Sequence, residues 1–300
     1  MNVTDVAPMD FALDRAAVAR ALDELVGRTL GAERGPVADA IRYSVQGEGK
    51  RLRAILVIEA HRAAGGTQDV SALAAAVEVV HAYSLVHDDL PCMDDDDMRR
   101  GRPTVHKVFG VRAATAAGMA MVPLAARAAR DAAAALGLTE SVQGEIVRTL
   151  MRASGASGMI GGQLLDLEGE GLALDLEQLE RIHRSKTGAL IVAAMRLGGL
   201  SAGAPTPLLD ALAGYGASVG LAFQIADDVL DVTATTEALG KTAGKDLQYR
   251  KSTYPALLGV DGAKARAEKL VRDACDGLRQ HRALTPELEF LARFIVARRS

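Results

Sequence analysis

The feature that most constrains this chain is its period. Apolar residues recur three and four apart along almost the whole length, as in Leu73, Val77, Val80 and Leu85, or Leu179, Ile182, Leu190 and Val192, while alternating strand-like runs are scarce. Such a chain buries helix faces against helix faces and reads as all-α. Its 49% of apolar residues include only 3% aromatics, so the core is assembled from Ala, Leu, Val and Ile, which suits closely packed helices. Breaks at Gly65-Gly66-Thr67, Leu90 to Gly110, Leu136 to Thr139, Gly169 to Asp175, Ser201 to Pro205 and Thr233 to Lys251 divide the chain into roughly ten helices. Thr285-Pro286-Glu287 places a capping hydroxyl before a proline at the first helical position, opening a last helix to Arg299. No Ser/Gly-rich linker, low-complexity tract or solenoid-period repeat interrupts the pattern, so residues 1–300 read as a single domain.

A net charge of −3 and a pI of about 6.1 argue against strong attraction to nucleic acid or an anionic membrane. Cys92 and Cys275 are too few for a disulfide framework and lack a zinc-ligand spacing; they read as ordinary thiols in a reducing interior. The N-terminal MNVTDVAPMDFALDR has no basic segment followed by an apolar run, and no uncharged stretch is read as reaching bilayer length. A cytoplasmic location with no membrane span is expected.

Two acidic clusters carry the chemistry. In Asp227-Asp228-Val229-Leu230-Asp231 the first and last aspartates are four apart, hence on one helical face, and they follow an apolar stretch from Tyr215 to Ala226. Carboxylates ending a buried helix need cations or hydrogen bonds. The other cluster, Asp88-Asp89-Leu90-Pro91-Cys92-Met93-Asp94-Asp95-Asp96-Asp97, again ends an apolar helix, and Pro91 should break that helix so that Asp94 swings back beside Asp88. All-oxygen sites suit hard cations, and Mg²⁺ in particular is held by a few carboxylates plus substrate phosphates, so a diphosphate substrate follows. A Ca²⁺ loop of the EF-hand type is excluded by the missing Gly and Glu at their offsets. Cations sit in matching places: Gly49-Lys50-Arg51-Leu52-Arg53 at a helix start, Arg99 and Arg100 after the first cluster, Lys186-Thr187 inside an apolar helix, and Lys241 and Lys245 in a Gly-rich loop.

The segments GKRLRAIL, VHAYSLVHDDLPCMDDDDMRRGRPTVH, GMIGGQLLDLEGEG, IHRSKTGAL, LAFQIADDVLD and LGKTAGKDLQYRKSTYPALLG, in that order, resemble the short-chain trans-isoprenyl diphosphate synthases over nearly the whole chain, and among them the bacterial farnesyl diphosphate synthases. The resemblance implies ten or more helices around a deep central cavity, and a homodimer. It implies Asp88, Asp94 and Asp227 as principal ligands of three Mg²⁺ ions, for which Mn²⁺ can substitute, with Asp89, Asp228 and Asp231 assisting. Arg99, Lys186 and Lys241 would hold the allylic diphosphate, and Lys50, Arg53, His81 and Arg100 that of isopentenyl diphosphate. Lys186, Thr187 and Gln224 would stabilise an allylic cation, with Gln163 and Asp166 near the pocket. His81 lies seven residues before Asp88, within about 20° of the same helical face; His87 reads as structural, and His61, His106 and His183 belong to no constellation legible here. Tyr83 and Ser84, five and four residues before Asp88, would floor the tail pocket and point to a C15 product.

The chain departs from the family's pattern at Gly118-Met119-Ala120-Met121, where relatives commonly read Gly-Asp-Ala-Leu, at Pro123 inside a helical pattern, and at Ala54, where proline is common. Geranylgeranyl or geranyl diphosphate synthesis is the nearest rival. A non-catalytic partner subunit should have lost metal ligands, and a terpene cyclase should carry an Asn/Asp-x-x-Ser/Thr-x-x-x-Glu run that is not evident.

Overall fold

The computed structural model describes residues 9–47, 49–233 and 252–297. It is all-α. In order come α1 (Ala12–Leu30), α2 (Pro36–Val45), α3 (Leu52–Ala63), α4 (Ser71–Asp88), α5 (Val105–Phe109), α6 (Val111–Ala135), α7 (Glu140–Ser154), α8 (Met159–Glu168), α9 (Leu176–His183), α10 (Ala189–Ser201), α11 (Thr206–Thr233), α12 (Tyr254–Gln280) and α13 (Pro286–Ala297). A five-residue π-turn, Arg184–Gly188, joins α9 to α10. Between α4 and α5 the two-residue strands β1 (Met98–Arg99) and β2 (Arg102–Pro103) pair antiparallel across Arg100 (φ 52°) and Gly101 (φ 74°). Two left-handed residues in a two-residue loop match the twist of a tight hairpin, and they set Arg99 and Arg100 on a rigid turn.

The helix signals read from sequence hold where chemistry sets them. Thr285 Oγ1 accepts the N–H of Leu288 at 3.2 Å before Pro286; the reciprocal capping of α9 by Asp175 and Gln178, not read from the sequence, is found in the structure. A break between α7 and α8 is absent from the sequence reading. It is made by Gly155 and Gly158, and a Cβ on Gly158 would lie 2.2 Å from the Ala153 carbonyl oxygen, so the chain turns back on itself through glycine. Pro123 does not end α6. It lies on the exposed face of the helix, four residues after Met119, itself 67% exposed.

The core is one contiguous apolar cluster running from Phe11 to Ile295. The helix α4 is buried on almost every side, packed by α1, α3 and α6, as expected of a helix apolar all round. Helix α11 carries charges at Asp210 and at its end, yet its 28 residues are long and apolar enough by composition alone to cross a membrane. Half of that apolar window is buried inside the bundle, against α10 and α12, and the helix ends on three aspartates. Both α4 and α11 thus deliver carboxylates from an apolar interior.

Candidate active site

The first cluster forms as its sequence dictates. Helix α4 stops at Asp88, Pro91 enters a tight turn, and the Asp94 N–H donates to the Asp88 carbonyl at 2.8 Å, which returns Asp94 to the helix end. Burial, with Asp94 and Asp89 alongside, pushes the Asp88 carboxyl up to about 6 against the pull of Lys186 and Arg99. Asp94 also accepts from Gln163 Nε2 of α8 at 3.5 Å. Asp89 is buried and taken by Arg99, whose Nη2 lies 2.5 Å away and also reaches Asp96 at 3.6 Å. Farther along, Asp95, Asp97 and His106 bring ligand atoms within 4.8 Å of one another, but Lys107 already pairs with Asp97 at 2.8 Å.

In the second cluster Asp228 and Asp231 are buried while Asp227 is half-buried. Asp228 Oδ2 accepts the Tyr254 N–H at 3.0 Å, and Asp231 Oδ2 has no hydrogen bond among the described residues. His183, unassigned by sequence, belongs here. Its Nδ1 lies 3.5 Å from Gln224 Nε2, its Nε2 3.9 Å from Asp228 Oδ2, and its ring stacks on Tyr254 with centroids 5.7 Å apart. The readable signal was its place three residues before Lys186.

Lys186 and Thr187 occupy the π-turn, a local widening that recurs at functional sites. Lys186 Nζ pairs with Asp166 of α8 at 2.6 Å and is also close enough to Asp88 to lower its pKa. Helix α8 reaches this turn because residue 162 is glycine: a Cβ there would sit 2.2 Å from the Lys186 backbone nitrogen.

The cations before α3 divide. Arg51, at φ 51°, turns inward, donating to the Val45 and Gly47 carbonyls and to Glu78, and is structural. Arg53 Nη1 donates to His81 Nε2 at 3.3 Å, while its Nε is buried without a hydrogen-bond partner among the described residues. Burial, then Arg53 and Arg100, hold the His81 pKa well below 6.5, so the ring is neutral and accepts from Arg53. Arg100 lies against Gly49, where a Cβ would approach its Nη1 to 2.4 Å. Lys50 is the residue between Gly49 and Arg51, while Lys241 and Lys245 fall outside the described residues. The helix-start amides expected to await an anion are partly engaged, because the Ala54 N–H donates to Glu78 Oε1 at 3.1 Å. Proline at position 54 would have no such donor. Tyr83 is 4% exposed with its ring edge-on to His87 at 5.2 Å, and Ser84 Oγ donates to the His81 carbonyl at 2.8 Å. His87 is structural, as expected: its Nε2 meets the Thr115 carbonyl at 3.2 Å in a space that a Cβ on Gly118 would fill.

The chain is 45% identical to farnesyl diphosphate synthase of Escherichia coli over 97% of its own length and 99% of that protein's. It is 45% identical to a chloroplastic geranylgeranyl pyrophosphate synthase of Arabidopsis thaliana over 81% of this chain and 68% of the relative. Among solved structures, the apo FPP/GFPP synthase of Zymomonas mobilis superposes with a TM-score of 0.78 at 32% identity, covering 94% of this chain and 96% of that one. The Helicobacter pylori geranyltransferase complexed with magnesium and isoprenyl diphosphate gives 0.79 at 29%, covering 98% of each chain. Residues 35–285 match the polyprenyl synthetase family, and with a relative 45% identical over nearly its full length the chain belongs to it.

Proposed function

We propose that this chain joins isopentenyl diphosphate head-to-tail to dimethylallyl and then geranyl diphosphate, giving farnesyl diphosphate, with Mg²⁺ held between the two aspartate clusters. The observation that carries the reading is the return of Asp94 onto Asp88 behind Pro91. The donor set fits a hard divalent cation: it is all oxygen, Asp88 is driven up to about 6 mainly by burial, and Asp231 Oδ2 is buried without a hydrogen-bond partner among the described residues. Asp88, Asp94 and Asp227 would be the principal ligands of three ions, supported by Asp89, Asp228 and Asp231. Bound there, Mg²⁺ supplies positive charge to the leaving diphosphate.

The chain's own residues do the rest. Arg99 and Lys186, with Lys241 from outside the described residues, bind the allylic diphosphate, and to do so Lys186 shares itself between Asp166 and the substrate. Lys50, Arg53, His81 and Arg100 hold the diphosphate of isopentenyl diphosphate. The allylic C1–O bond breaks with its electron pair leaving on diphosphate. The double bond of isopentenyl diphosphate then attacks C1, and the proton lost from C2 of the new unit goes to the departed diphosphate. The Lys186 and Thr187 oxygens and Gln224 would stabilise the transient cation; Gln224 Nε2 lies 3.5 Å from His183 Nδ1, which ties down the nitrogen end of its amide. The apolar interior excludes the water that would quench the cation.

The test is incubation of the pure protein with Mg²⁺, labelled isopentenyl diphosphate and each allylic diphosphate, resolving products by chain length. Activity is expected to vanish in excess chelator and return with Mg²⁺ or Mn²⁺; full turnover in chelator would refute the metal assignment. Because Asp88 must lose its proton to bind a cation, apparent Mg²⁺ affinity is expected to fall as pH drops below about 6. Similarity to geranylgeranyl synthases favours C20 as the second reading. Tyr83→Ala is expected to lengthen the product towards C20 and Ser84→Phe to shorten it towards C10; C15 from both would move chain-length control elsewhere. We also propose a single-domain, cytoplasmic homodimer. Its support is the outer face of α6, which carries Val111, Met119 and Pro123 at the surface. Sedimentation at micromolar concentration checks it, and a monomer would refute it.

A further inference from the structure

A glutamate in the middle of the apolar run Leu73 to Val86 calls for a reason. Glu78 is 3% exposed, and both of its oxygens are engaged on α3 and the turn before it. Its Oε1 accepts the Ala54 N–H at 3.1 Å, and its Oε2 accepts from Arg51 Nη1 at 3.3 Å. Arg51 in turn donates to the Val45 and Gly47 carbonyls at 3.1 and 2.6 Å, which ties the chain at 45–47 to the start of α3. Arg51 and Arg100 both sit at left-handed φ, 51° and 52°, a conformation that a non-glycine residue holds only when its surroundings impose it. Arg53 and Arg100 repel each other, and Glu78 is the carboxylate that both feel as an attraction.

We infer that Glu78 is the positioning residue of the isopentenyl diphosphate pocket: through Arg51 and the Ala54 amide it locks the first turn of α3 and the preceding loop, so that Arg53 and Arg100 stand together at one anion site instead of splaying apart. This rests on the reading of Lys50, Arg53, His81 and Arg100 as that pocket. Glu78 is too buried to meet the substrate itself, so it is not a catalytic residue. A buried carboxylate that accepts one backbone N–H and one guanidinium fixes both in direction as well as in charge. A diphosphate bound by preorganised cations loses no affinity to gathering them.

The competing account is that Glu78 is only a counter-charge, and the two differ in sign. Glu78→Gln keeps an oxygen for the Ala54 N–H and a side chain of the same shape but loses the charged pairing to Arg51. If Glu78 positions the pocket, KM for isopentenyl diphosphate rises about tenfold, KM for the allylic substrate stays within about twofold, and kcat at saturation is little changed. A fall in KM for isopentenyl diphosphate would mean that the carboxylate merely offset positive charge. Equal rises in both KM values, or a lowered melting temperature with both unchanged, would mean a purely structural role. Each of these results overturns the inference.

Should Glu78→Gln fail to fold, Arg51→Gln breaks the same link from its other end and is expected to give the same selective rise. Where both variants fold, the double variant should be no worse than either alone, and additive effects would overturn the inference. Arg53→Gln separates the inference from the reading beneath it. If Arg53→Gln raises KM for isopentenyl diphosphate and Glu78→Gln does not, only the role of Glu78 falls. If Arg53→Gln leaves that KM unchanged, the pocket assignment itself fails.

Discussion

Replacing Asp88 with asparagine is expected to abolish turnover while making the metal-free protein more stable. Burial first, then Asp94 and Asp89, raise the Asp88 carboxyl to about 6, above its unfolded value near 3.8. A carboxyl raised in the folded state favours folding when protonated, and that contribution is lost as pH rises through the folded pKa. At pH 8 the ionised group therefore costs the metal-free protein up to about 3 kcal/mol. Asparagine has no charge to desolvate, so the metal-free variant should melt about 3–6 °C higher at pH 8. The gain should shrink below pH 6 and disappear near pH 4. Activity moves the opposite way: a cation ligand is lost where negative charge leaves, and kcat should fall about 10³-fold or more. Asp227→Ala should lose rate on the same scale. A variant at Asp88 that turned over within tenfold of the parent, or melted lower at pH 8, would show that the carboxylate is not held ready for a cation.

Gly162→Ala is expected to damage the site far out of proportion to its one added carbon. The added Cβ would lie 2.2 Å from the Lys186 nitrogen, 2.6 Å from its Cα and 2.7 Å from the Ser185 carbonyl carbon. All three are backbone atoms, so no side chain can swing aside, and α8 must back away from the π-turn. Overpacking of this kind costs about 1–3 kcal/mol. The movement also pulls Gln163 from Asp94 and Asp166 from Lys186, groups that bracket the proposed reacting centre. A displacement of about 1 Å there is expected to lower kcat about a hundredfold. Gly214→Ala in α11 is the control, because nothing lies within 4 Å of its added carbon; it should stabilise by about 0.5–1 kcal/mol with activity intact. If Gly162→Ala behaved like Gly214→Ala, close approach of α8 to the π-turn would not matter.

What the sequence determined by itself is what short-range physics governs. Helical period decided an all-α chain, Thr285-Pro286 set the start of the last helix, and Pro91 after two aspartates ended α4 so that Asp94 had to return. Spacing alone placed Asp227 and Asp231 on one face. Tertiary structure decided everything that required knowing which helix lies beside which. It paired Arg53 with His81 from α4, rested Lys186 on Asp166, gave His183 to Gln224 and Asp228, and set Glu78 against Ala54 and Arg51. It also packed α11, apolar enough for a bilayer by composition, against α10 and α12 and buried half of its apolar window, because those partners lie elsewhere in the chain. The physical reason is common to all of these. A side chain's local pattern records its own helix's period, whereas its hydrogen-bond partner and its desolvation depend on atoms far away in sequence that only packing brings near.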